Sequence, residues 1–174
     1  AAAGAKLLGQ TSGIGSVGLF ESLPFVVPTL QIQRRAQQEL QRHPPDLIVL
    51  IDYMGPNLNI GGYARGRLPQ VPVVYYIAPQ MWVWSISQRS TDRIVEMSDR
   101  MLAIFTEEAR YFEQRGASVQ WVGHPLVDRL QASPSRDAAR AALGIDADTI
   151  AIALFPASRR QELRYLMPAM FEAA

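Results

Sequence analysis

The sequence contains no cysteine. Disulfides, thiolate metal sites and cysteine nucleophiles are therefore excluded, and a reducing compartment is compatible with the chain. It also lacks an excess of either charge: 17 basic against 16 acidic side chains leave a formal net charge of +1. The basic residues are scattered. Pairs such as Arg34 with Arg35 and Arg159 with Arg160 are too small to track a phosphate backbone, so no nucleic acid is expected as a partner. Only two histidines occur, without an acidic ligand cluster, and neither a metal nor another cofactor is expected. No apolar run is long enough to span a membrane. Low-complexity tracts and internal repeats are absent too.

What remains is an ordinary globular balance, 48% hydrophobic and 19% charged over 174 residues, enough for a real core in one domain or one and a half. The chain opens Ala1-Ala2-Ala3-Gly4 and stops at Phe171-Glu172-Ala173-Ala174 inside a helical pattern. Both ends read as cuts within a longer chain.

Short apolar runs alternate with helical patterns. Residues 46–52 form a continuous apolar run between two aspartates, which reads as a parallel strand buried on both faces. Residues 71–77, 101–105, 119–122 and 150–155 repeat the pattern. Helices are expected over 31–42, stopped by Pro44 and Pro45, over 60–68, weakened by Gly61 and Gly62, and over 90–98 with Ile94, Val95 and Met97 inward. Others follow over 106–114, opened by a Thr106 cap with Glu107 and Glu108 in the first turn, over 136–143 before Gly144, and over 159–171 with Pro168 inside. This alternation predicts an α/β fold with a parallel Rossmann-like sheet flanked by helices. The small, polar stretch 131–135 reads as a linker, so residues 1–130 form one Rossmann-like domain and 131–174 the start of a second. Gly13, Gly15 and Gly18 are too irregular for a dinucleotide fingerprint and read as a flexible turn.

In open parallel sheets, ligands bind beyond the carboxyl ends of strands. Asp52 ends the first run, where a carboxylate caps the following loop or serves catalysis. Asn59 follows as a helix cap. Gln80, Trp82 and Trp84 follow the second run and either pack or wall a sugar or acyl pocket. His124 follows the fourth, as a structural histidine, a donor or an acid–base group. After the fifth, Ser158 with Gln161 reads as a capping box beside Arg159, where free amides and a guanidinium can hold a phosphate. The apolar segment with Leu19, Phe20, Leu23, Phe25 and Val26 is core or a surface that meets lipid.

In order, Leu50-Ile51-Asp52, Asn57-Leu58-Asn59-Ile60, Tyr76-Ile77-Ala78-Pro79-Gln80-Met81-Trp82-Val83-Trp84, Gly123-His124-Pro125-Leu126-Val127-Asp128, Leu143-Gly144-Ile145 and Leu154-Phe155-Pro156-Ala157-Ser158-Arg159 line up as one set of motifs. In these motifs the chain resembles the lipid-A-disaccharide synthase family over nearly its whole length, as an internal fragment of a divergent member. The Pro-x-x-Trp-x-Trp and Gly-His motifs at this spacing discriminate most. The resemblance implies a GT-B glycosyltransferase without a metal, peripheral on the cytoplasmic face of the inner membrane. Such an enzyme joins UDP-2,3-diacylglucosamine to 2,3-diacylglucosamine 1-phosphate, giving lipid A disaccharide 1-phosphate and UDP.

By resemblance, Asp52 matches the aspartate implicated in catalysis and Arg159 the arginine near the UDP diphosphate. Asn59, Trp82, Trp84 and His124 match other motif positions, and the apolar segment matches a region that meets the membrane. The sequence departs from the pattern where Met54-Gly55-Pro56 lengthens the loop, at Asn57 for an acidic residue, at Thr106 for a proline and at Ala157 for a glycine. As a fragment, the chain is expected to be inactive alone. Other readings are another GT-B UDP-sugar transferase or epimerase, or a non-catalytic lipid- or nucleotide-binding homologue.

Overall fold

The computed structural model describes residues 4, 6–9, 19–83, 87–156 and 160–174, with side chains left aside for 19–25, 160 and 161. Four short strands form one parallel sheet in sequential order: β1 (Ile48–Ile51), β2 (Val73–Tyr76), β3 (Arg100–Ala103) and β4 (Val119–Trp121). The crossovers carry α2 (Met54–Arg67), α3 (Gln88–Met97) and α4 (Thr106–Glu113), preceded by α1 (Leu19–Arg42) and followed by α5 (Pro125–Gln131), α6 (Arg136–Leu143) and α7 (Arg160–Ala173). This is the expected α/β, Rossmann-like arrangement. Ile48 pairs with Val73, Tyr75 with Met101 and Met101 with Val119, so the strands end at one level.

The core lies on one face of the sheet. Ile48, Leu50, Val73, Tyr75 and Met101 point into it, meeting Leu58, Ala64, Ile94, Met97 and Phe112 from the helices. Of the inner face expected for α3, Ile94 and Met97 are buried and Val95 partly so, and Thr91 joins them one turn earlier. Asp99, just ahead of β3, ties the layer together: its carboxylate accepts from Val73 N at 2.7 Å and pairs with Arg65 of α2 at 3.0 Å. Those two donors hold the Asp99 carboxyl below its usual range, the backbone bond first.

Several expectations need correction. The first run is not buried on both faces: Val49 and Ile51 are 49% and 54% exposed, because no described layer covers the second face of the sheet. Residues 150–155 form no strand; with no described strand beside them to pair with, Ile150, Ile152 and Phe155 stand exposed. The helix expected from residue 31 begins at Leu19 and continues through Pro24 and Pro28, each of which lacks the helical N–H. Likewise α2 begins at Met54, so the Gly55-Pro56-Asn57 stretch is its first turn rather than a loop. A short helix, α5, occupies residues not expected to be helical.

Thr106 does not cap α4; Phe105 holds the cap position, and Glu108 closes the turn from within. Ser135 does cap α6, its Oγ accepting from Ala138 N, and Gly144 ends that helix in the left-handed conformation at φ 67°. No described residue beyond Phe112 is buried.

Gly61 shows how tightly α2 lies on the sheet. A Cβ there would sit 2.4 Å from Met97 Sδ and 2.9 Å from Leu50 Cδ1, whereas one at Gly66 would meet nothing within 4 Å. Helix propensity favours alanine at either position by about 1 kcal/mol. Overpacking a buried contact costs about 1–3 kcal/mol. Gly61→Ala is therefore expected to lower stability by up to about 2 kcal/mol, and Gly66→Ala to raise it by about 0.5–1 kcal/mol. Urea melts of the two variants check the opposite signs.

Candidate active site at the strand exits

Asp52, Gln80, Trp82 and His124 lie at the carboxyl end of the sheet or just beyond it. There β1 and β2 leave the ladder through adjacent left-handed residues, Asp52 at φ 52° and Ile77 at φ 55°. Aspartate tolerates this conformation, but a β-branched isoleucine does not, and such strain costs on the order of 1–3 kcal/mol. The surroundings hold both in place. Asp52 N donates to Tyr76 O at 3.2 Å and Ile77 O at 3.0 Å, and Ile77 N donates to Leu102 O at 3.3 Å.

The carbonyl of Asp52 is held as firmly. Tyr75 Oη donates to it at 2.8 Å, and Asn57 Nδ2 donates to it at 3.3 Å and to Ile51 O at 2.9 Å. Tyr75 is fully buried, and burial pushes its hydroxyl up to about 12. It therefore remains a donor across the neutral range. By contrast, the Asp52 carboxylate is exposed and has no hydrogen-bond or ion-pair partner among the described residues. The chain thus fixes the backbone of Asp52 and leaves its carboxylate free to act on a ligand.

Beside it lies a cavity of about 250 Å³ between α1 and the start of α2, lined by Ile51, Tyr53, Pro56, Asn57 and Ile60 with Thr29, Ile32 and Gln33. Asn59 is absent from that lining. It sits inside α2 rather than capping it, and its Oδ1 accepts from Gln37 Nε2 of α1 at 2.6 Å.

The exits of β2, β3 and β4 meet in an aromatic row. Phe105 lies 5.8 Å from Trp82 and 5.3 Å from His124, centroid to centroid. Trp82 is half-buried, and its indole Nε1 is enclosed without a partner among the described residues. His124 caps α5: its Nδ1 accepts from Leu126 N at 3.1 Å, which leaves Nε2 as the ring's donor, without a partner among the described residues. Gln80 stands exposed at the turn before Trp82. Trp84, Ser158 and Arg159 lie outside the described residues, as does the Gly13 to Gly18 segment. Of the membrane-contact candidates, only Val26 has a described side chain. It is 46% exposed, in company with Val27 and Leu30.

A larger groove, about 850 Å³, lies over the uncovered sheet face, lined by Val49, Val74, Tyr76, Leu102 and Trp121. Its lining is mostly apolar, with Tyr76, His124 and Asp128 as its titratable groups. Size alone favours this groove, but the unengaged carboxylate and the strained backbone favour the exits. Among the described residues no cluster of side chains could hold a metal ion.

Sequence reasoning missed Tyr75, Asn57, Phe105 and Glu108. Glutamate at the third position of a helix is a capping signal that marks Glu108. Tyr75 looked like any aromatic in a strand.

The protein-family model described as lipid-A-disaccharide synthetase matches residues 1–174. Curated relatives named lipid-A-disaccharide synthase share 57% identity over 98% of the chain in Gloeothece citriformis and 56% over 100% in Synechocystis. A relative of the same name in Geobacter metallireducens shares 36% over 99%. The chain spans 44% of the length of each of these relatives.

If the Asp52 carboxylate is a chemical rather than a structural group, Asp52→Asn changes stability by less than about 0.5 kcal/mol. Tyr75→Phe removes a buried bond to the same residue's carbonyl and is expected to cost about 1 kcal/mol. Denaturant melts of both variants check this; a large loss from Asp52→Asn would make its side chain structural.

Proposed function

The chain belongs to the lipid-A-disaccharide synthase family, and on that premise we propose that it is the acceptor-side part of a GT-B glycosyltransferase. The parent joins UDP-2,3-diacylglucosamine to 2,3-diacylglucosamine 1-phosphate, releasing UDP and the β-1,6-linked disaccharide 1-phosphate. Residues 131–174 begin the nucleotide-sugar domain. The observation that carries this reading is the Asp52 carboxylate, exposed and without a partner among the described residues, on a backbone held from both β2 and α2.

The mechanism is an inverting transfer. The acceptor's 6-hydroxyl oxygen attacks the anomeric carbon of the donor as its proton passes to Asp52, and the bond to the UDP oxygen breaks. Because the Asp52 backbone does not relax as charge shifts, the carboxylate starts in position. His124 Nε2 offers a donor to the acceptor's polar groups, the half-buried Trp82 ring gives the sugar an apolar wall, and Gln80 adds an amide at the rim. By resemblance, Ser158 and Arg159 take the UDP diphosphate, where departing charge needs stabilising.

Val26, Val27 and Leu30 lie within one turn of α1 and are exposed. They support a shallow contact with the membrane that carries both lipid substrates. No helix among the described residues is long and apolar enough to cross a membrane. The proposed attachment is peripheral, at the cytoplasmic face of the inner membrane.

The test is acceptor-dependent UDP release by the complete parent protein, beside Asp52→Asn. Loss of a general base lowers turnover by about 10²–10⁴-fold, with UDP affinity retained. Full turnover in the variant removes Asp52 from the chemistry. A folded, UDP-binding parent that releases nothing with this acceptor points instead to another acceptor or to a binding role.

A further inference from the structure

Glu108 is the most deeply buried carboxylate among the described residues, 2% exposed in the first turn of α4. A buried carboxylate is costly unless its oxygens are engaged. Here both are: Oε1 accepts from Ala78 N at 3.0 Å, and Oε2 accepts from Ile104 N at 2.9 Å and Phe105 N at 3.3 Å. Burial still pushes the carboxyl above its ordinary range, against the pull of those amides.

The partners matter more than their number. Ile77 N to Leu102 O is the last backbone bond between the β2 and β3 exits. Past it the strands separate, and the Glu108 carboxylate stands in for the missing ladder, bridging Ala78 on one side and Ile104 and Phe105 on the other. The bond to Phe105 is ordinary helix capping. The bond to Ala78, 30 residues away, is not, and helix stability does not require it. Ala78 leads directly into the turn closed by Met81 N to Pro79 O at 2.6 Å and Val83 N to Gln80 O at 3.1 Å. Phe105 bears the ring that touches both Trp82 and His124.

We propose that Glu108 is a positioning residue that sets the distance between the Gln80–Trp82 turn and Phe105, and so shapes the wall that receives the acceptor sugar. This rests on the acceptor reading above. Glu108 touches no substrate; it acts through the two backbone segments that it joins.

Glutamine separates this role from capping. A glutamine caps a helix as glutamate does, but it offers one acceptor oxygen in place of two. In Glu108→Gln the oxygen stays with Ile104 and Phe105, and the amide NH₂ is turned against Ala78 N–H. The helix keeps its cap and the β2 exit loses its tether.

The experiment compares the complete parent protein with its Glu108→Gln and Glu108→Ala variants by UDP release and by amide hydrogen exchange. For Glu108→Gln, exchange at Ala78 rises about tenfold while that of Ile104 and Phe105 stays within about twofold. The acceptor KM rises about tenfold, with the donor KM and kcat within about twofold. Glu108→Ala loses protection at all three amides; if it does not fold, Glu108→Gln decides alone. An unchanged acceptor KM in Glu108→Gln overturns the proposal. So does a fall in kcat with both KM values unchanged, which is the mark of a smaller active fraction. A wild-type parent without acceptor-dependent release fails the acceptor reading and this proposal with it, and the wild-type measurement distinguishes that case.

Discussion

The site depends on where the ladder between β1 and β2 ends. Ile51 pairs with Tyr76, and the next residue on each strand, Asp52 and Ile77, is left-handed. That paired reversal sends both chains out of the sheet together. It is held by the bonds from Asp52 N to two carbonyls of β2 and its exit, and by the Tyr75 hydroxyl and the Asn57 amide at the Asp52 carbonyl. The strain at Ile77 persists only because these contacts over-determine the backbone. Core and site share the same residue in Tyr75: its ring fills the interior while its hydroxyl reaches the strand end.

A second carboxylate plays the opposite part. Asp52 is exposed, with its backbone bound and its side chain free; Glu108 is buried, with its side chain bound to the backbone of other residues. The first arrangement leaves a side chain open to a ligand. The second uses the low dielectric of the interior to make three charge-assisted bonds into a brace. Together they align the exits of β1, β2 and β3, and His124 extends that edge to β4 through Phe105.

Much of this was legible in the sequence. The apolar runs located all four strands, and the rule that ligands meet parallel sheets at their carboxyl ends singled out Asp52, Gln80, Trp82 and His124. Features that depend on distant partners were not legible. A left-handed isoleucine is dictated by neighbours, not by its own preference. Gly55-Pro56-Asn57 has the composition of a turn, yet Asn57 is recruited to β1 from the first turn of α2. Residues 150–155 have strand composition but no described strand beside them. Glu108 showed its capping half in the local pattern, while its bond to Ala78 exists only in the folded chain.

The central claim is that this framework presents Asp52 to an acceptor hydroxyl. The most direct test is a crystal structure of the complete parent protein with 2,3-diacylglucosamine 1-phosphate bound. The account predicts the sugar against Trp82 and His124, with its 6-hydroxyl within hydrogen-bond distance, about 2.6–3.2 Å, of the Asp52 carboxylate. A sugar seated on Val49, Val74 and Leu102 away from Trp82, or with its 6-hydroxyl turned away from Asp52, would contradict it.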